Sequence, residues 1–104
     1  MERHKKFIEL ARFLLKAADL IEAGGLAFGT FRDGDAFCAI GAIRFAATGS
    51  TAPCSSKYNS ELQRLALVVD PVYGVLDPWD CITKWSDRSD KETVVNALRK
   101  AAQT

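Results

Sequence analysis

Apolar residues recur at helical spacing through most of this chain. Phe7, Leu10, Ala11, Leu14, Ala17, Ala18 and Ile21 follow an i, i+3, i+4, i+7 stripe, which predicts a long first helix. Gly24 and Gly25 come next, and glycine takes the left-handed conformation that closes a helix at little cost. The stripe is wider than packing on one side requires. Ile8 and Leu15 extend it on one flank, Phe13 and Leu20 on the other. At roughly 100° per residue, Phe13 and Leu20 sit about 100° from the centre of the stripe. A helix this apolar packs against several neighbours or against a second copy of itself. In a symmetric dimer Phe13 and Leu20 are the side chains that would be covered.

Leu26 to Asp35 reads as a loop, with Gly29 and the turn-forming run Arg32-Asp33-Gly34-Asp35. Phe28 and Phe31 are expected to anchor it in the core, and the signal for a two-strand ribbon is weak. A second helix is expected from Ala36 to Thr48, capped by Asp35 and closed by Gly49. Arg44 is its one charged residue, so it reads as the buried central helix. Ser50 to Lys57, with Pro53 and several Ser and Thr residues, reads as a surface loop. Asn59 or Ser60 then caps a helix carrying Leu62, Leu65, Ala66 and Val69, which Pro71 ends. Val72 to Leu76 is too short to assign. Asp77-Pro78 opens a further helix, with the cap before a proline in the first helical position, and Trp79, Ile82 and Trp85 line one side of it. Ser89-Asp90-Lys91-Glu92 has the form of a capping box, and Val94, Val95, Leu98, Ala101 and Ala102 give the last helix one apolar face. The expected fold is all-α: one domain over residues 1–104, a compact bundle of about five helices, with room for one short β-ribbon in a loop.

Three stretches occur together in order: Ala17-Ala18-Asp19-Leu20-Ile21, Cys38-Ala39-Ile40-Gly41-Ala42-Ile43, and Trp85-Ser86-Asp87 ahead of the final helix. In these the chain resembles a family of small uncharacterised helical proteins of bacteria and their phages. Members of that family carry Trp-Asn-Asp at the third stretch, so Ser86 departs from the pattern. The resemblance implies a helical fold and a bacterial or phage origin, and it implies no activity and no catalytic residue.

Composition narrows the function classes. The chain has 104 residues, 48% of them apolar and 26% charged, with a net charge of +1. So balanced a charge gives no field to steer nucleic acid or an anionic membrane. Arg3, Lys5 and Lys6 near one end and Arg99 and Lys100 near the other read as solvated helix faces. Three separated cysteines, Cys38, Cys54 and Cys81, do not read as a secreted disulfide framework. Glu9, Arg12, Lys16 and Asp19 interrupt any signal-peptide core, and the apolar run Ala36 to Ile43 is too short to cross a bilayer. A cytoplasmic protein with reduced thiols is expected.

Candidate chemistry is sparse. Zinc sites use ligands paired two to four residues apart, whereas the cysteines and His4 stand singly, so no metal or other cofactor is expected. A Cys or Ser nucleophile needs an oriented base, and His4 is the one histidine. No Gly-Lys-Ser or Gly-Lys-Thr follows Gly24, Gly25 and Gly29, so these do not form a phosphate loop. Paired carboxylates remain: Asp33 and Asp35 flank Gly34, and Asp77, Asp80, Asp87 and Asp90 crowd the last third. Acid–base catalysis would need two of them in different environments facing one cleft. The simpler reading makes Asp35 and Asp77 helix caps and the rest solvated surface. Trp79 and Trp85 are the aromatic residues suited either to the core or to a binding hot spot, and Arg88 sits beside Trp85 at a helix-to-helix turn. The expected function is therefore a non-enzymatic protein-interaction module or homodimer, with Trp79, Trp85, Arg88, Phe13 and Leu20 as its contact residues. The alternative is a small enzyme or ligand-binding domain using Asp33, Asp35 and Asp87.

Overall fold

The computed structural model describes residues 2–49 and 59–103, with side chains described for residues 11–49 and 60–103. Its elements are α1 (Glu2–Gly24), β1 (Arg32–Asp33), β2 (Ala36–Phe37), α2 (Ala39–Thr48), α3 (Asn59–Val69), α4 (Tyr73–Leu76), α5 (Pro78–Arg88) and α6 (Lys91–Gln103). The fold is a mostly α-helical bundle with one two-stranded antiparallel ribbon. The side chains of His4, Phe7, Ile8 and Leu10, Cys54, and the Ser50 to Lys57 loop lie outside the described residues.

Helix α1 runs along α6 and α2, and α3 joins α5 to α6. Leu14, Ala17, Ala18 and Ile21 of the predicted stripe are fully buried. They meet Ile40 and Ile43 of α2, Leu65 of α3, Ile82 of α5, and Val94 and Leu98 of α6 in one cluster. Each buried Leu, Ile or Val side chain among these contributes about 1.5–3 kcal/mol by leaving water. The predicted stop also holds, because the Gly25 N–H donates to the Ile21 carbonyl and Gly25 has φ 99°.

The second helix begins three residues later than the sequence suggests. Asp35 does not cap it, since Ala36 and Phe37 pair with Asp33 and Arg32 across the Gly34 turn. Phe37 is also tied to the end of α1: its N–H donates to the Gly25 carbonyl, and its own carbonyl accepts from Ala27 N–H. These tertiary bonds outweigh the local preference for a cap at Asp35. The cap is Cys38, whose Sγ accepts from Gly41 N–H at 3.3 Å. Gly41 itself is dictated by contact. A methyl group there would come within 1.9 Å of the Phe31 carbonyl oxygen, so only glycine lets the loop lie against the helix.

Two further expectations are corrected, and one open stretch takes a definite form. Phe28 is exposed, whereas Phe31 is half-buried against the core. The unassigned stretch after Pro71 forms α4, a sixth helix. At α6 the cap is Asp90, not Ser89: Asp90 Oδ1 accepts from Thr93 N–H at 2.8 Å, while the Ser89 hydroxyl donates back to the Trp85 carbonyl. Bonds from the Thr93 hydroxyl and N–H hold the Asp90 carboxyl below the usual range.

Candidate functional site

Helix α4 is a single turn fixed at both ends. Asp70 Oδ1 accepts from Val72 and Tyr73 N–H at 3.1 and 3.0 Å, which satisfies donors that a helix start leaves open. At the other end the Asp77 N–H donates to the Tyr73 carbonyl, and Asp77 Oδ1 in turn accepts from Asp80 N–H at 3.1 Å, capping α5 as predicted. Gly74 is the buried residue of the turn. A methyl group at Gly74 would come within 2.4 Å of the Ala66 carbonyl oxygen, so its backbone rests directly on α3.

With the glycine turned inward, the larger side chains face water. Val72, Val75 and Leu76 are 74%, 66% and 76% exposed, and Tyr73 and Trp79 are exposed too. Five large apolar or aromatic residues are exposed within eight positions, a denser grouping than the single exposures normal on soluble proteins. Trp79 leads from it into an open depression of about 250 Å³, lined also by Leu62, Gln63, Asp77 and Pro78.

Trp79 is anchored from beneath. Its ring meets Phe31 edge-on at 6.1 Å, and the buried Arg44 guanidinium lies 4.9 Å from the Trp79 ring and 4.5 Å from that of Phe31. An aromatic ring held by another ring and a cation, with its outer part exposed, has the character of a preorganised contact residue. Tyr73 is similarly fixed, because its hydroxyl donates to Asp80. That bond pushes the Tyr73 hydroxyl up to about 12 and draws the Asp80 carboxyl down, helped by Lys84 at 3.1 Å.

The other residues singled out from the sequence are dispersed. Trp85 is half-buried against the core, and the Arg88 Nε donates to the Lys84 carbonyl of its own helix. Phe13 and Leu20 are half-buried; Leu20 packs on the core and lines a cavity of about 380 Å³ with Lys16, Arg32, Asp35, Phe37 and Phe45. Asp87 lines a different cavity, of about 330 Å³, with Cys38, Thr30, Thr83 and Ser86. Asp33 lines neither.

In that second cavity the polar groups serve the backbone. Asp87 Oδ1 accepts from Gly29 N–H at 3.0 Å, and Ser86 Oγ accepts from Ala39 N–H at 3.1 Å, together tying the loop and the start of α2 to α5. Burial pushes the Cys38 thiol up, so its place at a helix start does not make it a ready nucleophile. Burial likewise pushes up the thiol of Cys81; both cysteines are free. Among the described residues no three His, Cys, Asp or Glu side chains are grouped to hold a metal, and no helix is long and apolar enough to cross a membrane.

One buried acid escaped the sequence reading. Glu61 is 2% exposed, and its Oε2 has no hydrogen-bond partner among the described residues. Burial pushes its carboxyl up. The available signal was spacing: Glu61 precedes Leu65 by four, on the buried side of α3.

The chain belongs to a protein family described as a family of unknown function (DUF6197), whose model matches residues 8–104. No curated protein and no solved structure matches it.

Proposed function

We propose that this family member is a non-enzymatic protein-interaction module that docks a partner protein on the α4–α5 face. The observation that carries the reading is the rigid display of Val72, Val75, Leu76 and Trp79 to solvent. The turn is hydrogen-bonded at both ends, through Asp70 and through Asp77, so little conformational entropy is lost when it is covered. Interfaces centre on aromatic anchors surrounded by aliphatic contacts. Trp79, set on Phe31 and Arg44, suits the anchor, and Val75 and Leu76 suit the surround. The carboxylate alternative has less support, since Asp35 and Asp87 line separate cavities and Asp87 is engaged with Gly29.

The test is capture from the extract of the native host with wild-type protein and with a Val75→Ser/Leu76→Ser double variant. Both replaced side chains lie in water, so the variant is expected to fold with stability within about 0.5 kcal/mol of wild type. A partner retained by the wild type and lost by the folded variant supports the reading. Equal retention by both refutes it.

A further inference from the structure

From the charge around the apolar face, we infer that its partner is a basic amphipathic segment: apolar side chains flanked by lysine or arginine. The inference rests on the reading of this face as a docking surface and adds the chemistry of what docks there.

The run from Asp70 to Asp80 contains three aspartates and no lysine, arginine or histidine. All three are placed by the fold of the face itself. Asp70 accepts from the Val72 and Tyr73 N–H groups ahead of α4, Asp77 caps α5, and Asp80 receives the Tyr73 hydroxyl. Lys84 neutralises Asp80. Among the described residues no lysine or arginine pairs with Asp70 or Asp77. Their bonds are to backbone N–H groups, which leave each side chain with lone pairs to offer. Asp77 also lines the depression beside Trp79. The buried Cys81 senses all three carboxylates, each of which raises its thiol further, so their fields converge at this end of the molecule.

That pattern separates the occupants an apolar face could have. A second copy would set Asp70 and Asp77 against the same two aspartates, and like charges brought together at an interface oppose association. An anionic membrane surface is repelled for the same reason. A helix or strand with an apolar stripe edged by cations meets both requirements, because its stripe covers Val72, Val75, Leu76 and Trp79 while its cations reach Asp70 and Asp77. Charge complementarity at the rim sets specificity and encounter rate, and the apolar centre sets residence.

The test uses the full chain and three probes: a synthetic amphipathic helix of leucine and lysine, its leucine–glutamate counterpart, and phosphatidylglycerol vesicles. Binding is followed by the Trp79 indole N–H resonance, with self-association followed by sedimentation. The leucine–lysine helix is expected to shift that resonance and to bind at least about tenfold more tightly than the leucine–glutamate helix, with the advantage shrinking as salt rises. Asp70→Asn/Asp77→Asn, in which the asparagine oxygen can still accept from the same backbone N–H groups, is expected to lose about threefold or more of that affinity. Equal binding of the two helices, both lost in Leu76→Ser, would overturn the basic partner and leave the face standing. Tight leucine–lysine binding that Leu76→Ser leaves intact would overturn the face itself. A dimer that Leu76→Ser dissociates, or binding to the vesicles without binding to the leucine–lysine helix, would replace the inferred partner with a second copy or a lipid surface.

Discussion

Single side chains carry two kinds of work in this molecule, and polar residues that look alike in the sequence divide between them. Asp87 and Ser86 are adjacent, and each accepts one backbone N–H from a segment far away in the chain. Spacing cannot announce such ties, because the donors lie 58 and 47 residues off. Ser86→Ala leaves the buried Ala39 N–H without its acceptor, so a loss of about 1–3 kcal/mol is expected in denaturant unfolding. Unchanged stability would show that Ala39 finds another acceptor. Glu61 gives a pH prediction. Its folded carboxyl lies above the ordinary glutamate value of 4.5, so the protonated form is favoured in the fold. The associated stability is present below that value and is lost as pH rises through the folded one. Glu61→Gln stays neutral, so its melting temperature is expected to exceed that of wild type at about pH 8, with the gap narrowing toward about pH 4. A gap that does not vary with pH would contradict this.

At the scale of elements, the long stripes were legible and the ends were not. Leu14, Ala17, Ala18 and Ile21 of α1, and Val94, Val95 and Leu98 of α6, are buried as their spacing requires. The Asp77-Pro78 start of α5 was legible because cap and proline act locally. Asp35 was misread because tertiary bonds decided its boundary, with Phe37 held to Gly25 and Ala27; Ser89 was misread because its hydroxyl donates locally to the Trp85 carbonyl, closing α5 instead of opening α6. Gly41 stood in the sequence only as a member of an apolar run, although it is the point where loop and helix touch. Gly41→Ala drives a methyl group into the Phe31 carbonyl. Overpacking of this kind costs about 1–3 kcal/mol and at times more, and the upper end is expected here because backbone, not a side chain, is in the way. A thermal melt within about a degree of wild type would mean the loop moves aside freely, given the several degrees expected per kcal/mol in a domain this size.

Over the whole molecule, one core built from every helix except α4 follows from the periodicity, and the candidate site does not. Val72, Val75, Leu76 and Trp79 have the composition of core residues, so pattern alone sends them inward. They face water because α4 has one turn and spends its buried position on Gly74, whose backbone sits on Ala66. Trp79 was picked out from the sequence for its chemistry, and the apolar neighbours that make it part of a surface emerged with the fold. The most direct test of that surface is site-specific photocrosslinking in the native host, with the photoreactive residue placed at Leu76 or, as control, at the exposed Asn96 of α6. A discrete adduct with a second protein at position 76 and none at position 96 is the predicted result. No adduct at position 76, or the same adducts at both positions, would contradict docking on the α4–α5 face.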